Sequence, residues 1–427
     1  MKILVLYSGA KDTAIAWWLS KSKLIEKLYV APGCPGTEAY AVNLPDLDTQ
    51  DCDQVLKACR DYSIDFVVIG TEGPLLAGVV DSLSSNGIPC FGAPLKSLNL
   101  ETDRSYARQF ASRHGVRFPE YRVFEDLKAL ESFLDSEGNG RVFTLKPNGF
   151  AISRNVFNSS DKNELLSYAE QLLKKGPVFL EDHIDGIPIT VTLLVDMNGY
   201  TLLPLCSEYT KREHGEANIV TGGMGAVSPV PISDEHSFNL HDRIINPVFE
   251  GLKQEGLLYR GVLTLALVYK DGTSYLVDFH LRFNDPAAQT IIPLIRNDAV
   301  DIIRSMQDNT LSSVVLDTCQ LSAVSVVIAS EGYPQKPKKG LRFRSAAGAA
   351  PDNRLEKVPL VFMGAVGRDS KGALVTTGGR TATVVGLGTN ITEANSAAYR
   401  AVKGISFKGS WYRDDIGNKF FTSTVEN

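Results

Sequence analysis

Three side chains able to do chemistry stand two apart in the stretch VDFHLRFNDPAAQ, residues 277–289: Asp278, His280 and Arg282. On a strand, side chains two apart share a face. An acid, an imidazole and a guanidinium would then line one side, with Val277, Phe279, Leu281 and Phe283 on the apolar side against a core. Such a row on a half-buried strand is costly unless each member is paired. Two pairings are open: a metal with an anionic ligand, or mutual hydrogen bonds among the three. An imidazole suits Mn²⁺, Zn²⁺ or Fe²⁺ better than Mg²⁺, which takes oxygen ligands in strict geometry.

A second stretch, TGGMGAVSPVP (221–231), offers different chemistry. Gly222, Gly223 and Gly225 allow a backbone that turns sharply and presents N–H groups to anionic oxygens. Pro229 and Pro231 stiffen its exit. Glycine clusters alone usually mark turns, so the whole string carries the signal.

These segments need a scaffold, and the chain supplies one in three parts. Over residues 1–101 short apolar strands (ILVLY, LYVAPG, FVVIG, IPCFG) alternate with helical segments, the pattern of a parallel α/β sheet. Ligands collect at the carboxyl ends of such strands, which gathers the loops YSGAKD, APGCPGTE and GTEGPL on one rim. Over 102–322 a helix (ETDRSYARQFASRHG) leads into strand-rich sequence that reads as antiparallel. A third part, 323–427, opens with SAVSVVIAS and closes with the helix ITEANSAAYRAVKGI. KPKKGLRFR reads as a solvated loop or hairpin. His114, His236 and His241 are expected at the surface, and Trp17 and Trp18 in packing.

Composition removes several function classes. A hydrophobic share of 44%, a charged share of 22% and a net charge of -5 describe an ordinary globular protein without the basic surplus of a nucleic-acid binder. No apolar run is long enough to span a bilayer, and MKILVLYSGA reads as a first strand rather than a signal peptide. The six scattered cysteines form no CxxC pair, which fits reduced thiols. A cytoplasmic enzyme, monomeric or homodimeric, is the expectation.

Several long strings in order, TGGMGAVSPVP, RFNDPAAQ, TTGGR (376–380) and YRDDIG (412–417), resemble the phosphoribosylamine–glycine ligase family, also called glycinamide ribonucleotide synthetase. APGCPGT resembles the family's APGNAGT, and GTEGPLLAGVVD its GPEAPLVAGIVD. The resemblance runs over nearly the whole chain. It implies an ATP-grasp fold, its small lobe at about 117–187, between an N-terminal parallel α/β domain and a C-terminal α+β domain, with ATP and a divalent metal (Mg or Mn) as cofactors and glycine and phosphoribosylamine as substrates. The implied reaction phosphorylates the glycine carboxylate and forms an amide with phosphoribosylamine in purine biosynthesis. The open alternatives are a paralogue with other substrates and a homologue that binds metabolites without turning over ATP.

Residue by residue, the resemblance implies catalytic roles for Arg282, Lys146 and Gly223. Nucleotide contacts fall to Arg104, Lys146, Arg154, Glu181, Ile184 and Lys211. Substrate contacts fall to Gly9, Gly33, Gly36, Thr37, Glu72 and Pro74 on the rim and to Gly222, Gly223 and Met224 in the glycine loop. Arg282, Asp285, Gly378, Gly379 and Arg380 complete that set, and Asp278 and His280 take the metal. The chain departs from the family mainly on the nucleotide side. The family's EFNCRFGDPETQ has Glu and Asn where Asp278 and His280 stand here. Its Gly-Lys-Gly loop is Ser153-Arg154-Asn155, and Pro188 stands where a Glu would accept from ribose hydroxyls.

Overall fold

The computed structural model describes residues 1–7, 9–138, 140–149, 156–212, 219–345 and 359–421. Five strands build the first sheet: β1 (Lys2–Leu6), β2 (Lys27–Ala31), β3 (Val42–Asn43), β4 (Phe66–Ile69) and β5 (Cys90–Phe91). They lie in the order β3-β2-β1-β4-β5, all parallel. Ile3, Leu4, Val5 and Leu6 are all fully buried, as expected for a central strand covered on both faces. The turns after β1 and β4 open the helices Ala10–Ser20 and Glu72–Leu76, and so present Gly9 and Glu72 on one rim.

Helix Ala10–Ser20 is buried along ten of its residues. Trp17 packs edge-on against Phe362, ring centroids 5.6 Å apart, so the helix is clamped between the first sheet and the last third of the chain. The helix expected at 101–115 is in fact two. Asp103 ends helix Leu95–Thr102 and caps helix Arg104–Arg113 by accepting the Tyr106 N–H, the work of a good N-cap residue.

Three antiparallel sheets follow. The small lobe holds β6 (Tyr121–Phe124), β7 (Phe143–Pro147), β8 (Phe157–Ser159) and β9 (Val178–Asp182) in the order β6-β9-β7-β8. A separate core, from Phe124 to Leu180, supports it. The second sheet orders β10 (Ile187–Val195), β11 (Tyr200–Leu202), β14 (Gly261–Lys270) and β15 (Thr273–His280) as β11-β10-β14-β15. The third runs β12 (Ser207–Lys211), β13 (Val220–Ser228), β16 (Ser322–Ala329), then the strands Arg380–Gly388 and Leu360–Met363.

One hydrophobic core runs from β1 through the second and third sheets to Phe420. The expected junctions after residues 101 and 322 therefore lie inside a helix and a strand rather than in linkers. His236 also departs from expectation. It is only 4% exposed, bonds Ser274 Oγ at 3.1 Å and stacks on Tyr269 at 4.0 Å. Among the described residues no helix is long and apolar enough to cross a membrane.

Helix Ile391–Val402 lies directly on the third sheet at Gly386, where a Cβ would sit 2.2 Å from Ala394 O and 2.3 Å from Ala398 N. Backbone on both sides leaves no room to yield. Gly386→Val is expected to destabilise the fold by about 3 kcal/mol, the upper range for overpacking. Urea unfolding measures it, and a change under about 0.5 kcal/mol, the scatter of surface substitutions, would contradict the packing argument.

Candidate active site

A single cavity of about 1230 Å³ joins the rim of the first sheet, the small lobe, the second sheet and the loops of the third. Of the residues singled out from sequence, its wall holds Gly9, Glu72, Pro74, Arg104, Lys146, Glu181, Ile184 and Lys211. It also holds Gly222, Asp278, His280, Arg282, Asp285, Gly379 and Arg380. Arg154 lies outside the described residues. Six others are off the wall. Thr37 is fully buried and bonds Cys34 O and Asn43 Oδ1. Gly33 and Gly36 pack on Asn43 and Met363, and Gly378 on Ala365. Met224 is buried with Ala329 and Tyr333. Gly223, at φ +109, lies so close to Pro286 that a Cβ would be 2.5 Å from its Cδ. These residues shape loops behind the cavity.

β15 ends at His280, so Arg282 lies just past the strand, and the row pairs neither with itself nor as a metal set. Asp278 Oδ1 accepts from Arg104 Nε at 3.1 Å, and Oδ2 meets Lys146 Nζ at 3.3 Å. Lys146 also meets Glu181 Oε1 at 2.5 Å, and Arg108 Nη2 donates to Glu181 Oε2 at 2.8 Å. Arg104 Nη1 donates to the carbonyls of Pro147 and Gly149, and Arg108 Nη2 to Val277 O. The five charges thus tie helix Arg104–Arg113, the small lobe and β15 together. Burial would raise the Asp278 carboxyl, but Lys146, Arg104 and Arg108 outweigh it and hold the group well below its ordinary value of 3.8.

His280 and Arg282 turn instead to Glu101, which sequence reasoning did not single out. This fully buried carboxylate accepts the Leu281 N–H at 2.8 Å, meets Arg282 Nη2 at 3.0 Å and lies 3.4 Å from His280 Nδ1. Burial alone would raise its pKa, yet Arg282, His280 and the Leu281 N–H bring it below the ordinary value. Arg282 also reaches Glu72 at 3.5 Å. There burial is again outweighed, by Arg282 and Lys11, and Glu72 is held at about 2.

The apolar face also differs in one place. The β14–β15 pairing jumps from Ala266↔Asp278 to Leu267↔Leu276, so Val277 is bulged out onto the cavity wall and fully buried Leu276 continues the core face. A bulge re-aims side chains in this way beside functional sites. On the other wall, Arg380 Nη1 donates to Gly222 O and to Asp285 O, and meets Asp285 Oδ1 at 3.2 Å. It thereby pins Gly222 to the turn after β15; the glycine segment expected to turn sharply as a loop runs instead as strand β13.

Asp278 and His280 do not fit a Mg²⁺ seat. Both Asp278 oxygens are held by cations and His280 faces a carboxylate, whereas Mg²⁺ asks for an octahedron of free oxygens. Among the described residues no group of three His, Cys, Asp or Glu side chains could hold a metal ion.

Asp278→Asn tests the network. Removing one partner of a buried pair is expected to cost about 3 kcal/mol at neutral pH. The Asp278 pKa is depressed on folding, so its stabilisation is complete above the unfolded value and is lost as pH falls below about 4. In urea unfolding from neutral pH downward, the gap between wild type and variant should narrow below that point. A gap independent of pH would contradict the assignment.

Similarity to known proteins runs along the whole chain. Residues 1–101 match the phosphoribosylglycinamide synthetase N domain, 102–288 its ATP-grasp (A) domain and 323–419 its C domain. Phosphoribosylamine–glycine ligase of Neisseria meningitidis serogroup B is 32% identical over 98% of this chain and 99% of its own length. The protein of that name from Caulobacter vibrioides is 32% identical over 98% of both chains. A crystal structure of phosphoribosylamine–glycine ligase from Thermotoga maritima superposes with a TM-score of 0.80 at 26% identity, covering 97% of this chain and 100% of that one.

Proposed function

The chain belongs to the phosphoribosylglycinamide synthetase family, and from that premise we propose that it is an ATP-dependent ligase joining glycine to phosphoribosylamine in purine biosynthesis. The terminal phosphoryl group of ATP passes to the glycine carboxylate. The amine then attacks the acyl carbon, phosphate leaves and an amide forms. Such chemistry depends on positioning and charge neutralisation more than on a protein nucleophile.

One observation carries the reading: a single cavity brings together the rim loops, the glycine end of β13, the small lobe and Arg282. Three substrates have to meet in one space for this reaction. Phosphoribosylamine is assigned to the rim at Gly9, Glu72 and Pro74, under Gly222 and Arg380. Adenine is assigned to the hinge at Ile184, between the small lobe and the apolar wall of Pro188, Leu267 and Val268. Lys211 faces the phosphates, and Arg282 the carboxylate that is activated. No step is given to a metal, because Asp278 and His280 do not suit one.

A second reading, a homologue that holds these metabolites without turning over ATP, is favoured by the spent charge of Lys146 and Arg104, which lie against Asp278 and Glu181.

Phosphate release from purified protein with ATP, glycine and phosphoribosylamine decides between them. Release that requires all three is the expected result, while nucleotide binding without release would support the second reading. Arg282→Lys keeps the charge beside Glu101 but loses the planar fork. It is expected to lower kcat/KM for glycine about 100-fold, the scale of losing one aimed donor.

A further inference from the structure

Around the cavity the buried and half-buried carboxylates meet cations, with Glu208 as the exception. Glu72, Glu181, Asp278, Asp285 and Asp415 each lie within salt-bridge distance of a lysine or arginine. Half-buried Glu208 projects from β12 onto the wall, and among the described residues no lysine or arginine lies within ion-pair distance of it. Its two hydrogen bonds are neutral and both end on Oε2. Thr190 Oγ1 donates at 2.8 Å and Asn284 Nδ2 at 2.9 Å. Those bonds hold the side chain, and among the described residues Oε1 has no hydrogen-bond partner. A half-buried carboxylate without a countercharge is costly, and a cationic ligand group removes that cost.

Arg380 stands in the same region, since Glu208 is among the charges acting on it. All of its hydrogen bonds run through Nη1, so Nε and Nη2 carry none among the described residues. The wall thus presents an anion with one open oxygen beside cationic charge, with Arg282 on the same wall to meet a carboxylate. That pairing suits a zwitterion better than a divalent ion, which would ask for several oxygens at once.

We infer that Glu208 receives the ammonium group of the amino-acid substrate through Oε1, held in position by Thr190 and Asn284, and so makes this site selective for an α-amino acid over a hydroxy acid or a plain carboxylate. The inference rests on the proposed ligase reading for the name of that substrate, but not for the site.

Calorimetric titration of the full chain with glycine, glycolate, acetate and MnCl₂, each alone, tests it. Glycine should bind, with glycolate and acetate at least about tenfold weaker, as loss of a charge-assisted hydrogen bond implies. The isosteric Glu208→Gln should weaken glycine by a similar factor and remove the preference over glycolate. Asn284→Ala, which frees the carboxylate without deleting it, should weaken glycine less than Glu208→Gln does. Unchanged glycine affinity in Glu208→Gln would overturn the inference, as would absence of glycine binding to the wild type. Mn²⁺ binding that Glu208→Gln abolishes would overturn it in favour of a metal ligand. Glutamate-dependent glycine binding without phosphate release would remove the ligase reading and leave this site standing. Turnover with a glycine KM indifferent to Glu208→Gln would do the reverse.

Discussion

Desolvated charge organises this molecule. Lys146, Glu181, Asp278, Arg104 and Arg108 come from the small lobe, one helix and one strand, and none would be tolerable in its place alone. Lys146 touches both carboxylates, so neither pair is complete without it. The small lobe has its own hydrophobic core, and the charges contribute its orientation over the second sheet. The cavity is the space left between surfaces fixed in this way.

A similar logic holds at the other end with different residues. Glu101 is buried on helix Leu95–Thr102 and gathers Leu281 N–H, His280 and Arg282. Arg282 in turn reaches Glu72 on the rim of the parallel sheet. The guanidinium assigned to the substrate carboxylate is therefore set by contacts to two other segments, which limits how far it can swing. Arg380 does the same for β13, tying Gly222 to Asp285.

Much of this was legible in sequence where the signal is local. Alternating strands and helices gave the parallel sheet, and the alternation along 277–283 put Asp278, His280 and Arg282 on one side. Pairing was not legible, because it depends on residues far away in the chain: Glu101 stands 179 positions from His280, and Arg104 stands 174 from Asp278. The bulge at Val277 was hidden for the same reason, since it exists only in the register with β14. Gly33, Gly36 and Thr37 look like ligand-loop residues, yet they meet Asn43, Met363 and Cys34. A glycine that lets backbone approach a ligand and one that lets backbone approach a side chain leave the same mark. Glu208 gave no mark at all, its meaning arising only from the absence of an ion-paired cation around it among the described residues.

Helix Leu95–Thr102 carries one more implication. It runs through the junction after residue 101, and a single core continues from the first sheet to the C-terminal segment. The three stretches matched to family domains share one interior. A polypeptide cut there would expose apolar surface on both pieces and divide Glu101 from Arg104. The small lobe is the exception, because its interior is complete within its own sequence. The interior of the first sheet is thus continuous with that of the C-terminal strands, and the lobe keeps an interior of its own.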